Sequence, residues 1–201
     1  MREIQKAILL NYRSGASALT SKINIERRSS VIAYWLIPAE PAHKFFQWLI
    51  EDLARRYDAP PFEPHVTIHV GANHPDAAEK ALSQAARECQ LITLKARGID
   101  HSDEFIKTVF VQLAPTTKLR QLHGIIRSAA QDSSRYELKP HLSLLYKAMP
   151  AVARSELAHS INISFLKVTF DALKAVRCIL PTRSRADVEA WRVIAARELP
   201  R

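Results

Sequence analysis

The chain has 201 residues, 47% of them hydrophobic, so it can bury the core of one ordinary domain or of two small lobes. Its net charge of +9 favours anionic partners such as nucleotides or nucleic acids, and its average charged fraction of 24% gives no sign of disorder along the body of the chain. The absence of any apolar run of about 18 residues excludes a transmembrane helix, so we expect no membrane partner.

The positive charge lies mainly at the two ends of the chain. Residues 1–30 contain six Lys/Arg against two Asp/Glu, and residues 165–201 contain eight against four. Residues 31–164 are almost neutral, with fifteen Lys/Arg against fourteen Asp/Glu. We interpret residues 1–30 as a basic extension with a short helix at Arg2–Tyr12; a transit peptide is the alternative. Residues 31–201 would form the folded domain.

The two cysteines predict a reducing compartment. Cys89 and Cys178 are far apart and belong to no C-x-x-C motif. We therefore expect two unpaired structural thiols in a cytoplasmic protein.

The predicted elements follow one another in two similar series. In the first half they are a strand at 31–37, a helix at 41–57, a strand at 65–70 and a helix at 75–89. In the second half they are strands at 91–99 and 105–113, a helix at 117–130, a strand at 141–146, a helix at 151–160 and strands at 163–170, 172–180 and 188–196.

The order strand, helix, strand, helix therefore occurs twice. The first strands of the two series, at 31–37 and 105–113, are offset by 74 positions, which indicates an internal duplication. Two such halves can pack about a pseudo-two-fold axis. Equivalent strands would then face each other across a cleft.

One short motif recurs in this duplication. "EPHVTIHVG" spans Glu63–Gly71 and "KPHLSLLYK" spans Lys139–Lys147, and each contains Pro-His, an apolar residue and then a hydroxyl residue. Alternate residues of a strand share a face. His65 would therefore project with Thr67, and His141 with Ser143.

Two imidazoles and two hydroxyls across a cleft suit phosphoryl displacement. One histidine can accept the proton of the attacking oxygen while the other donates a proton to the leaving oxygen on the opposite side of phosphorus. The hydroxyls can donate to the non-bridging oxygens. This chemistry requires no metal, and it predicts a rate that is bell-shaped in pH and centred near neutrality.

With these motifs the chain resembles the two-histidine (2H) phosphoesterase superfamily, and within it the cyclic phosphodiesterase group. The resemblance covers roughly residues 31–197 and rests on four segments: "AYWLIP", "FEPHVTIHVG", "PHLSLLY" and the late "DVEAWRVI". It implies an α+β, bilobal fold in which each of two pseudo-symmetric lobes has an antiparallel sheet with flanking helices. It also implies metal-independent hydrolysis of 2′,3′-cyclic nucleotides or of ADP-ribose 1″,2″-cyclic phosphate, with a 2′-phosphate product from the former.

Carried over position by position, the resemblance makes His65 and His141 catalytic and makes Thr67 and Ser143 phosphate-binding. Tyr146 would contact the substrate. Tyr146 lies five positions after His141, an odd offset that points away from the histidine on an ideal strand. This role therefore requires the strand to end or bulge near Leu145.

The remaining histidines receive no role in the chemistry. His69 shares the predicted face of His65, but four strand residues span about 13 Å, too far for both to bind one metal ion, so we expect His69 at the edge of the groove or the sheet. The others fall on predicted helices or loops and should be solvated: His43, His74, His101, His123 and His159. We expect no metal and no cofactor.

Two other functions remain open. An RNA-end enzyme of the same superfamily would open 2′,3′-cyclic ends or join 2′–5′ linkages, which the basic termini favour and the neutral middle opposes. A basic RNA-binding module would use the motifs only for structure. The leading hypothesis is a monomeric enzyme whose partner is a small cyclic phosphate nucleotide, with RNA ends as the alternative partner.

Overall fold

The computed structural model describes residues 28–130, 134 and 136–201. The predicted helix at Arg2–Tyr12 lies outside these residues. The described part of the chain has seven strands: β1 (Ser29–Pro38), β2 (Val66–Ala72), β3 (Ile92–His101), β4 (Val109–Leu113), β5 (His141–Leu145), β6 (Lys167–Leu180) and β7 (Arg192–Glu198). Its α-helices are α1 (Ala42–Arg56), α2 (Pro75–Glu88), α3 (Thr117–Ala129), α4 (Ala151–Ser160) and α5 (Arg185–Glu189), and a 3₁₀ turn spans Phe105–Lys107.

The element order contains the same unit twice. The first unit is β1-α1-β2-α2-β3 and the second is β4-α3-β5-α4-β6, after which α5 and β7 close the described chain. The two strands predicted at 163–170 and 172–180 are one continuous strand, β6. The start of the strand predicted at 188–196 is instead helix α5, because Ser184 caps it by accepting from the backbone N–H of Asp187.

All strand pairings are antiparallel and join one seven-stranded sheet in the order β1-β2-β5-β4-β3-β6-β7, with β1 also paired to β6. The predicted α+β class is confirmed. The resemblance implied a separate sheet in each lobe, whereas the pairings connect every strand, so the bilobal arrangement stays a prediction. The order β1-β2-β5-β4 is symmetric about the β2–β5 pair, as expected for two repeats related by a pseudo-two-fold axis.

Strand β1 is buried on both faces. Ile32, Tyr34 and Leu36 belong to the main core, which the helices cover. Ala33 and Trp35 point the other way and belong to a smaller cluster with Cys178 of β6. This second face forms the wall of the cleft described below. Among the described residues, no helix is long and apolar enough to cross a membrane.

Candidate active site

The two motif strands are neighbours at the centre of the sheet. β2 and β5 are joined at the antiparallel pair Val66↔Leu142. Continuing this register by one residue in each direction places His65 across from Ser143 and Thr67 across from His141. The two histidines are then diagonal neighbours, a relation in which the residues are separated by about 7–8 Å and their Cβ atoms by somewhat less.

A cleft of about 260 Å³ opens over this pair of strands. Its lining includes His65, Thr67, His141, Ser143 and Tyr146, the five residues singled out in the sequence. The fold therefore brings together both His-x-Thr/Ser pairs and the tyrosine. Their roles in catalysis stay predictions at this point.

Both imidazoles are oriented in the same way. Nδ1 of His65 lies 2.6 Å from the carbonyl oxygen of Glu63, and Nδ1 of His141 lies 2.8 Å from that of Lys139. A carbonyl oxygen can only accept, so Nδ1 carries the proton in each ring. In the neutral rings Nε2 is left unprotonated and able to accept a proton.

An aromatic side chain from the adjoining strand packs against each histidine. Trp35 of β1 stacks on His65 with ring centroids 3.8 Å apart and planes 11° apart. Phe110 of β4 meets His141 edge to face at 5.4 Å. Neither residue was predicted to belong to the site, although their offset of 75 positions matches the duplication and could have revealed them as a pair.

Burial favours the neutral form of both histidines. Desolvation is the main cause that lowers the pKa of His65 from 6.5 to about 3, and repulsion by Lys174 and by His141 when that ring is protonated lowers it further. Desolvation also lowers the pKa of His141, with Lys107 acting in the same direction. His65 is 6% exposed and His141 is half-buried, so His141 gains a proton more readily.

A β-bulge decides which later residues of each motif strand face the cleft. In β2 the register with β1 shifts so that Trp35 pairs with Thr67 and Tyr34 pairs with His69, which leaves Ile68 as the extra residue. In β5 the register with β4 shifts in the same way and leaves Leu144 extra. Each bulge thus lies three positions after the motif histidine.

The bulge in β5 explains the odd offset of Tyr146. The extra residue reverses the alternation, so Tyr146 returns to the cleft side, as the required bulge near Leu145 predicted. Tyr146 is 3% exposed and stacks on Phe62 at 3.7 Å. Burial raises its pKa, so its hydroxyl stays neutral.

The bulge in β2 shows that the prediction for His69 was wrong. His69 is fully buried in the main core side of the sheet, near Tyr34, His123 and Tyr136, and does not line the cleft. His123 was also misassigned as solvated: its Nδ1–H donates to the carbonyl of Ile68 at 2.7 Å. This bond satisfies the carbonyl of the bulge residue itself.

Neither a disulfide nor a cluster of metal ligands occurs among the described residues. Cys89 and Cys178 are both unpaired and buried, as predicted. No group of three or more His, Cys, Asp or Glu residues able to hold a metal ion occurs within the described ranges.

The chain is similar to known phosphoesterases in sequence and in fold. A family model described as "Cyclic phosphodiesterase-like protein" matches residues 30–199. A cyclic phosphodiesterase from Arabidopsis thaliana is 25% identical over 174 residues, which cover 85% of this chain and 96% of the relative.

Solved structures show the same fold. E. coli LigT in its apo form has a TM-score of 0.55 and 17% identity, and the match covers 87% of this chain and 100% of that one. E. coli LigT complexed with 3′-AMP has a TM-score of 0.52, 17% identity and coverages of 86% and 99%.

These similarities define a phosphoesterase of the 2H superfamily. More narrowly, the chain belongs to the cyclic phosphodiesterase-like protein family, and it is a phosphodiesterase. The interpretation as a non-catalytic RNA-binding module is therefore set aside.

Proposed function

We propose that this enzyme hydrolyses a small cyclic phosphodiester, a 2′,3′-cyclic nucleotide or ADP-ribose 1″,2″-cyclic phosphate, by two-histidine acid–base catalysis without a metal. The observation that carries this proposal is the pair of diagonally placed imidazoles in one cleft, each fixed through Nδ1. The Arabidopsis relative is named a cyclic phosphodiesterase, and LigT was crystallised with 3′-AMP; both support a nucleotide substrate.

In the proposed reaction a water oxygen forms the new bond to phosphorus while one ring P–O bond breaks. Nε2 of one histidine takes a proton from the water, and the other histidine gives a proton to the departing alkoxide, so that a phosphomonoester and a free hydroxyl result. The greater burial of His65 supports its role as the base, and the greater exposure of His141 supports its role as the acid. The Thr67 hydroxyl, on the cleft wall, can donate to a non-bridging oxygen.

The first prediction tests the activity itself. Wild-type protein is expected to convert 2′,3′-cyclic mononucleotides to a single phosphomonoester at the same rate with and without EDTA, because the residues proposed for the reaction are all proton donors and acceptors. Product analysis by chromatography identifies which P–O bond breaks. Loss of turnover on chelation, restored by one added metal, would contradict the metal-free mechanism.

The same assay separates the two substrate classes. Oligonucleotides ending in a 2′,3′-cyclic phosphate are compared with mononucleotides at equal concentration. A kcat/KM that is higher for the oligonucleotide would favour the RNA-end enzyme over the small-nucleotide enzyme.

The second prediction concerns pH. Since the pKa of each histidine is lowered from 6.5, and that of His65 reaches about 3, kcat/KM should peak below pH 6.5 rather than near neutrality. Below the optimum the base becomes protonated; above it the acid loses its proton. A bound phosphate anion stabilises an imidazolium, so the kcat optimum should lie at higher pH than the kcat/KM optimum. A kcat/KM profile that still rises above pH 7 would refute this expectation.

A further inference from the structure

The two motif hydroxyls are not equivalent in this structure. Ser143 Oγ–H donates to the carbonyl oxygen of Ile106 at 2.9 Å. A serine hydroxyl has one proton, and without a ligand that proton is directed to the backbone of the turn. Within the described ranges, the hydroxyl of Thr67 makes no such bond and lies on the cleft wall. Ser143 thus has a structural contact that Thr67 lacks.

The acceptor of Ser143 belongs to the 3₁₀ turn Phe105–Lys107, which a second hydroxyl also holds in place. Ser102 Oγ–H donates to the carbonyl of Lys107 at 2.7 Å. Thr108 Oγ1 lies 3.0 Å from the carbonyl of Phe105 but 2.7 Å from that of Lys147, which is the better placed acceptor for its single proton. Two hydroxyls, those of Ser102 and Ser143, therefore hold two of the backbone carbonyls of the turn, and one of them comes from the second motif.

Lys107 extends from this turn into the cleft. It is half-buried, its Nζ lies 4.6 Å above the centre of the Phe110 ring, and the same ring packs against His141. Among the described residues no carboxylate pairs with Lys107, whereas the other lysine of the cleft, Lys139, lies 2.8 Å from Glu137. Glu104 also lines the cleft, but it is exposed, so solvent screens its charge.

The proposed chemistry needs a cation in this position. The substrate phosphodiester is an anion, and negative charge shifts among its oxygens as the ring bond breaks. A preorganised positive group beside these oxygens stabilises the transition state. Burial disfavours the charged form of both histidines before substrate binds. No arginine lines the cleft in the described part of the chain, which leaves Lys107 as the unpaired positive group beside His141.

We propose that Lys107 is a further phosphate-binding group on the His141 side of the cleft, and that Ser143, through its bond to Ile106, also positions the turn presenting it. This inference rests on the proposed function, because it assigns a phosphate to the same cleft. It adds a positioning role to the phosphate-binding role that the motif predicts for Ser143.

The third prediction tests Lys107 with four variants. Lys107→Met should lower kcat/KM for a 2′,3′-cyclic mononucleotide about 10- to 100-fold, the scale of one hydrogen bond to a charged group, and should weaken inhibition by inorganic phosphate similarly. Lys107→Arg should retain most of both. Lys139→Met should have a smaller effect because that charge is already paired, and the exposed Lys80→Met should have none. A Lys107→Met protein within threefold of wild type would overturn the proposal.

A double-mutant cycle tests the role of Ser143. If Ser143 positions Lys107, Ser143→Ala and Lys107→Met together should lose less than the product of their single losses, whereas the losses of Thr67→Ala and Lys107→Met should multiply. Losses that multiply for the Ser143 pair would show that Ser143 does not position Lys107. Calorimetric titration with inorganic phosphate measures the same couplings without turnover. Failure of the proposed hydrolysis would therefore be distinguishable from failure of the Lys107 assignment.

Discussion

His65→Ala and His141→Ala are each expected to lower kcat for a 2′,3′-cyclic nucleotide by about 10²- to 10⁴-fold, the usual contribution of a positioned proton donor or acceptor. Each variant removes one of the two imidazoles that line the cleft and are fixed through Nδ1. The measurement is steady-state hydrolysis, with thermal unfolding to confirm that each variant is folded. This fourth prediction is the most direct test of the two-histidine mechanism.

The double variant should lose less in kcat than the product of the two single losses, because each proton transfer accelerates the reaction little when the other is absent. His159→Ala is a matched control: His159 is an exposed histidine on α4, and its loss should leave the rate within about twofold of wild type. Full activity in either His65→Ala or His141→Ala would eliminate the mechanism for this chain.

Trp35→Ala is the fifth prediction, and it should affect stability and turnover together. Trp35 is 4% exposed, stacks on His65 at 3.8 Å and meets Trp191 edge to face at 5.3 Å. Truncating a buried tryptophan to alanine costs about 3–5 kcal/mol of unfolding free energy. The loss of the stacked ring also frees the His65 side chain to leave its catalytic position, so kcat of the folded fraction should fall.

Denaturant unfolding and kcat, measured on the same preparations, separate these two effects. Trp35→Phe keeps an aromatic face against His65 and should recover part of both. Trp48→Ala is the matched control, because Trp48 is 62% exposed and its substitution should change stability by about 0.5 kcal/mol or less. The role assigned to Trp35 is wrong if Trp35→Ala and Trp48→Ala behave alike.

Much of the fold could be predicted because its signals are local. The apolar runs and their periods located the strands and helices to within a few residues, and the order of elements revealed the duplication. The strand predicted at 188–196 was partly wrong, since a cap at Ser184 begins a short helix that hydrophobicity alone does not distinguish from the start of a strand. How the strands pair is a non-local property, and it was predicted less well.

The β-bulges determine side-chain directions that could not be predicted from consecutive residues alone. Alternation along an unbroken strand puts His69 with His65 and turns Tyr146 away from His141. Extra residues at Ile68 and Leu144 reverse both assignments. The pairing partner determines where a strand bulges, so the sequence of the bulged strand does not by itself specify it.

The sequence by itself determined the α+β class, the repeated unit and the two His-x-Thr/Ser pairs, because hydrophobic periodicity and motif spacing are properties of consecutive residues. Only the tertiary structure decided that Trp35 and Phe110 flank the histidines, that Ser143 donates to Ile106, and that Lys107 reaches the cleft. These contacts join residues that are distant in the chain. They depend on which strands become neighbours in the sheet. That pairing forms only together with the burial of the whole core, so no short segment of the sequence specifies it.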